Sequence, residues 1–141
     1  KSYNAYCAEG LDEREKEFVF ALLSSFGVAV KVPESRINAV TGLTGSGPAF
    51  VFMFFKAFVE AAEKFGFSRA EALQAAESVI SSSAHNLASD PSVDIDKMIE
   101  SVCSKGGTTI EGVNYLKQKD FVSVTKEAVE RAVKRAEELG K

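Results

Sequence analysis

Apolar positions follow two kinds of spacing along this chain. Residues 1–10, KSYNAYCAEG, place Tyr3, Tyr6 and Cys7 in loose alternation, which predicts one strand. From Leu11 the period lengthens, and Phe18, Leu22 and Phe26 recur on one helical face. Asp12 stands where an N-cap belongs, and Glu13 and Glu15 suit the positive end of that helix. Gly27 is expected to end it in the C′ position. Val28–Val32 is a second β-type run, closed by Pro33. The two β segments read as a two-stranded remnant or as part of a neighbouring domain's sheet. Glu34–Val40 predicts a short turn of helix, followed by a Gly-rich stretch over Thr41–Phe50. Pro48 suits the first position of the next helix, with Gly47 or Ser46 as N-cap.

That next helix, to about Phe65, carries Phe50, Phe52, Phe54, Phe55 and Phe58 all round its first half. A helix apolar on every side is buried on every side. One chain of 141 residues can hardly cover it, so the pattern predicts an oligomer whose partner completes the core. Gly66 ends this helix, and Ser68 with Glu71 forms a capping box for a small-residue helix to about Leu87. Asp90-Pro91 reads as a turn, and Asp94–Cys103 as a short helix. SKGGTT is a second Gly-rich break, after which Thr108 or Thr109 opens a helix to about Gln118. The last helix, Asp120–Leu139, gathers Val122, Val129, Val133 and Ala136 on one face, with Lys126, Glu130, Arg131 and Lys134 outside. The fold class is therefore all-α, about six helices, with one or two short β-segments at the N-terminus. Residues 1–33 read as a strand–helix–strand link and 34–141 as the helical domain. An opening on a strand without Met is what a piece cut from a longer chain would show.

Composition narrows the function. With 45% hydrophobic and 26% charged residues, ten Gly and three Pro, the chain is globular. A net charge of −3 argues against nucleic acid as a partner. Cys7 and Cys103 lie far apart, without CxxC spacing, so neither a zinc site nor a disulfide framework is expected and a reducing cytosol fits. No metal is expected. The apolar run Pro48–Phe55 stops at Lys56, far short of the ~20 residues a bilayer requires, so no membrane span is expected. No strand–GxGxxG–helix opening is present, so the chain does not bind a dinucleotide alone.

Candidate chemistry centres on Ser104–Thr109, SKGGTT. Two glycines let a backbone approach a ligand, and free N–H groups at a helix start favour an anion. The hydroxyls of Ser104, Thr108 and Thr109 would add directional bonds to a carboxylate or phosphate. A Gly-broken loop with a Thr N-cap accounts for the same residues. TGLTGSGP has no Lys or Arg between Thr41 and Phe55 and reads better as glycines that let a buried helix start against another backbone. His85, the only histidine, has no triad-like spacing to a Ser or carboxylate and reads as a surface or interface residue. Asp94 and Asp96 read as caps, and Cys103 as a packed thiol.

INAVTGLTGSGPAFVFMFFKAFVEAA, followed ~60 residues on by SVCSKGGTTIEGVNYLKQKDF, resembles pyrroline-5-carboxylate reductase. The likeness runs from about Ala5 to the end and covers only that family's C-terminal helical dimerisation domain. It implies an oxidoreductase of proline biosynthesis that reduces 1-pyrroline-5-carboxylate to L-proline. It further implies a cytoplasmic homodimer of interlocking helical domains, with higher assembly left open. NADPH or NADH would be bound mainly by an N-terminal Rossmann domain that this sequence does not contain, and this piece alone would be inactive. The resemblance assigns Gly106, Gly107 and Thr108 to the substrate carboxylate, with Ser104 supplying the preceding hydroxyl. It places Thr109 near the ring nitrogen as the catalytic residue, and Ser101 and Val102 against the same pocket. Lys105 stands where the family usually has Pro, which loosens entry to the turn. A non-catalytic homologue, a stand-alone dimerisation module and a related imine-reducing dehydrogenase are the alternatives.

Overall fold

The computed structural model describes residues 2–90 and 92–140. They form two units: residues up to Pro48 together with those from Thr125 onward, and Ala49–Val124.

In the first unit, strand β1 (Ser2–Tyr6) is followed by helix α1 (Glu13–Phe26) and strand β2 (Gly27–Lys31). The strands pair in parallel, from Ser2 opposite Gly27 to Tyr6 opposite Lys31. A parallel pair needs a crossover, which α1 supplies. The start of α1 is a full capping box: Glu15 N–H donates to Asp12 Oδ1, and Asp12 N–H donates to Glu15 Oε2, each at 2.9 Å. Ser2 Oγ donates to Phe26 O and Asn4 Nδ2 to Leu23 O, tying β1 to the helix. Gly27 does follow the last helical residue, but not as a left-handed cap. Its φ is 168°, extended backbone inside β2. Glycine is needed there because a Cβ would run into the Ser2 backbone. Strands of parallel sheets are normally covered on both faces, and a two-stranded sheet is marginal by itself. Here Tyr3, Phe18, Phe26 and Val28 remain exposed.

A 3₁₀ turn (Glu34–Arg36) leads into α2 (Ile37–Val40). The Gly-rich stretch that follows does not lead to the new helix start at Pro48, capped by Gly47 or Ser46, that is expected from sequence. Thr41–Gly45 form a π-helical turn, with Ser46 N–H donating to Thr41 O at 3.1 Å, and helix α3 (Gly47–Lys64) continues from it. Pro48 carries no N–H, and its ring crowds the carbonyl four residues back, so a regular α-helix would kink here. The wider π turn places Pro48 inside a continuous helical run. Gly42 is buried against helix α7 (Phe121–Leu139), where a Cβ would lie 2.6 Å from Val133 N. This is the close backbone approach expected for that motif. Joining the segments has a second consequence. Glu34–Lys64 is long and apolar enough to cross a membrane by length and composition, with mean hydropathy 1.3 over 18 residues.

In the second unit, α3 ends in a Schellman motif. Gly66 has φ +89°, its N–H donates to Glu63 O, and Phe67 N–H donates to Ala62 O. Ser68 and Glu71 cap α4 (Arg69–Ala88) reciprocally, as expected. Val59 of α3 packs on Ala72 and Ala76 of α4, flanked by Phe55 and Ala62. Phe54 stacks obliquely with Phe58 and Phe121, centroids 4.9 and 6.0 Å apart. Pro91 of the expected Asp90-Pro91 turn lies outside the described residues. Asp94 alone caps α5 (Ile95–Ser101), accepting from the N–H groups of Asp96 and Lys97. Helix α6 (Thr108–Gln118) follows, and Asp120, at φ 53°, turns the chain into α7.

The chain leaves much apolar surface uncovered. Phe52 is 69% and Met53 72% exposed on α3, so this chain alone does not cover the rings that the all-round pattern expects in a core. On α7, Val129, Val133 and Ala136 are half-buried, but Val122, expected beside them, is exposed. The accessible area is 11069 Å². A compact monomer of this mass exposes about 7,100 Å², and even two separate bodies of half the mass about 8,600 Å².

Candidate functional site

The Ser104–Thr109 segment joins α5 to α6. Val102 N–H and Cys103 N–H still donate to the last turn of α5, at Ile99 O and Glu100 O. Gly107 N–H then donates to Ser104 O at 3.0 Å, closing a four-residue turn with Lys105 and Gly106 at its centre. Gly106 has φ +71°, whereas Asp120 is the one described non-glycine residue with positive φ. Lys105 is therefore on the negative side, and the turn is type II, which calls for glycine in third place.

Gly107 is the N-cap of α6, with extended φ −81° and ψ 170°, and no side chain caps the helix. Among the described residues the first N–H groups of α6 thus have no acceptor, at the positive end of the helix dipole. Among the described residues, the hydroxyls of Ser104, Thr108 and Thr109 have no hydrogen-bond partner, and all three residues are exposed. A Cβ on Gly107 would collide with Ser104 Oγ. This glycine therefore holds open the place of the Ser104 hydroxyl. Gly106 has open space around its α-carbon and is required only by its φ.

Not every expected site residue is equally free. Ser101 Oγ donates to Met98 O at 2.7 Å inside α5. Val102 offers an exposed apolar side chain at the entry to the turn. His85 is exposed on α4 with no hydrogen bond or ion pair among the described residues. Among those residues no group of three or more His, Cys, Asp or Glu is placed to hold a metal.

The structure does not fit a dinucleotide to the β1–α1–β2 unit. A pyrophosphate needs open N–H groups at the helix start. Here Asp12 occupies that position, and Glu13 and Glu15 add negative charge in the first turn. A feature that sequence reasoning missed lies on α3 and α4: a 250 Å³ open cavity whose lining includes Phe52, Phe55, Lys56, Glu60, Arg69 and Leu73. Its signal was Lys56 and Glu60, one helical turn apart and interrupting an otherwise aromatic helix.

The family described as pyrroline-5-carboxylate reductase dimerisation matches residues 34–139. The chain is 40% identical to a pyrroline-5-carboxylate reductase of Aquifex aeolicus over 129 residues, 92% of this chain and 48% of that protein. It is 38% identical to one of Methanosarcina acetivorans over 120 residues, 85% of this chain and 44% of that protein. A Coxiella burnetii pyrroline-5-carboxylate reductase structure matches with TM-score 0.89 and 27% identity, covering 99% of this chain and 52% of that one. A Plasmodium falciparum pyrroline carboxylate reductase structure with NADP bound shares the fold, at TM-score 0.89 and 22% identity, over 97% of this chain and 53% of that one. The chain spans about half the length of the curated relatives it matches.

Proposed function

The chain belongs to the pyrroline-5-carboxylate reductase dimerisation family, and from that premise we propose that it forms the dimer and holds the substrate carboxylate in an enzyme of proline biosynthesis. The reaction is NADPH- or NADH-dependent reduction of 1-pyrroline-5-carboxylate to L-proline. The single observation that carries the site is the uncapped start of α6, preceded by a glycine turn and set among three unpartnered hydroxyls.

In this reading the substrate carboxylate accepts from the N–H groups of Thr108 and Thr109 at the start of α6, where the helix dipole favours it. Ser104 and Thr108 hydroxyls fix its orientation. Holding the imine in one pose supplies several kcal/mol of the barrier without any acid or base. Thr109 is the catalytic residue. Its hydroxyl donates to the ring nitrogen as that atom gains basicity, and relays a proton from water, since a hydroxyl is too weak an acid to be the source. A nicotinamide cofactor, bound by the complete enzyme outside these residues, supplies the hydride. The bound NADP of the similar Plasmodium falciparum protein supports this assignment of cofactor class.

A homodimer follows from the same family assignment and from the uncovered rings of α3. Protein suits this surface better than lipid. Lys56, Glu60, Glu63 and Lys64 punctuate the helix, and Val59 is already packed on α4. The free thiols Cys7 and Cys103 accord with a reducing, cytoplasmic setting.

Fusing the nucleotide-binding part of the similar Aquifex aeolicus reductase ahead of this chain tests the reading. The chimaera should oxidise NADPH in the presence of pyrroline-5-carboxylate and yield proline. A folded, dimeric chimaera that binds NADPH but makes no proline would contradict it.

A further inference from the structure

Lys105 stands at the centre of the Ser104–Gly107 turn, exposed to solvent. Between Glu100 and Glu111 it is the one charged side chain, a base bracketed by two acids. Glu100 lies near the end of α5 and Glu111 in the first turn of α6, and both are exposed. Among the described residues none of the three makes an ion pair. Lysines elsewhere in the chain do pair, Lys16 with Glu13 and Lys56 with Glu60, at helical spacings of three and four. Lys105 is five residues from one acid and six from the other, across a turn rather than along one helix. Its charge is therefore left for a ligand.

The balance of charge around the turn depends on that ammonium. The start of α6 offers about half an elementary positive charge from its dipole. Without Lys105 this would face two full negative charges, on a chain whose net charge is −3. An approaching anion would then be repelled. Two peptide units separate the Cα atoms of Lys105 and Gly107, which puts them at most about 7.6 Å apart. That is within about one Debye length at physiological ionic strength. A lysine ammonium is a point charge on a flexible stem, so its pull on an anion at this range needs no fixed hydrogen bond.

We infer that Lys105 sets the affinity for substrate: its ammonium draws the carboxylate of pyrroline-5-carboxylate to the start of α6. This rests on the carboxylate reading above and adds the cation that the helix start lacks. The carboxylate keeps its charge throughout hydride transfer, so Lys105 attracts ground state and transition state alike. Uniform binding of this kind lowers KM and leaves kcat unchanged.

The test compares the chimaeric reductase with its Lys105→Gln and Lys105→Arg variants. Ionic strength runs from about 0.01 M to about 1 M, over which the Debye length falls from about 30 Å to about 3 Å. At low salt Lys105→Gln should raise KM for pyrroline-5-carboxylate roughly 3- to 10-fold at unchanged kcat, and at high salt the gap should close. Lys105→Arg should keep the parent KM and its salt dependence. A Lys105→Gln enzyme with the parent KM at low salt, or a difference that persists at high salt, would overturn the inference while leaving the carboxylate site in place. So would an effect confined to kcat or to the KM for NADPH. A folded parent chimaera that binds NADPH but makes no proline would overturn the carboxylate reading and this inference together.

Discussion

Gly42 and Val133 meet backbone to backbone: a Cβ placed on Gly42 would sit 2.6 Å from Val133 N and 2.9 Å from its Cα. Nothing flexible is available to yield. Gly42→Ala should therefore destabilise the fold by about 1–3 kcal/mol, the usual cost of overpacking. Gly45, one turn away, has only Thr41 Cγ2 at 3.9 Å. Gly45→Ala should be neutral, or stabilise by up to about 1 kcal/mol through helix propensity. Chemical denaturation of the two variants checks the contrast.

The type II turn at Ser104–Gly107 makes Lys105 a test of rigidity. Proline fixes φ near the value this position needs, and the turn's own bond is donated by Gly107, not Lys105. Lys105→Pro should raise stability by about 0.4–1 kcal/mol by restricting the unfolded chain. The readout is the midpoint of denaturation at unchanged m-value.

Thr109→Ala separates ligand binding from folding. In a chimaeric enzyme it should lower kcat/KM by roughly 10- to 100-fold, the worth of a hydrogen bond to a charged or charging group. Thr109→Ser should restore most of the loss, and the melting temperature should change little. Gly107→Val is a blunter probe, because its side chain meets Ser104 Oγ before it meets any ligand.

The Ser68–Glu71 cap gives a pH dependence of known sign. Hydrogen bonds from the Ser68 hydroxyl and backbone N–H hold the Glu71 carboxyl below its ordinary value. A carboxyl whose folded pKa is depressed stabilises fully above the unfolded value, near 4.3, and loses that contribution as pH falls through the folded value. The stability gap between wild type and Glu71→Gln should thus be constant near neutrality and shrink below about pH 4.3. Thermal melts across that range measure it.

Local signals in the sequence were read correctly where one residue decides the geometry. Ser68 and Glu71, Gly66, Asp94 and Thr108 each mark a boundary that the structure keeps. Gly27 was placed correctly for the wrong reason, because its constraint comes from Ser2, 25 residues earlier, and non-local packing leaves no local mark. Pro48 gave the same signal for a helix start as for a π-bulged continuation, so the turn over Thr41–Gly45 was missed. The chemistry of SKGGTT was legible as a choice between an anion site and a plain helix start. The type II turn and the unpartnered hydroxyls support the first. The α3–α4 groove was hidden inside a pattern that reads as core, since spacing alone does not say which apolar positions of a helix stay uncovered.

The central claim is that this chain covers the apolar rings of α3 only by pairing with a second copy of itself. Sedimentation equilibrium at micromolar concentration is the most direct measurement. The account predicts a single species of about twice 15.2 kDa, with no folded monomer on dilution until the chain unfolds. A well-folded, soluble monomer of 15.2 kDa at those concentrations would contradict it.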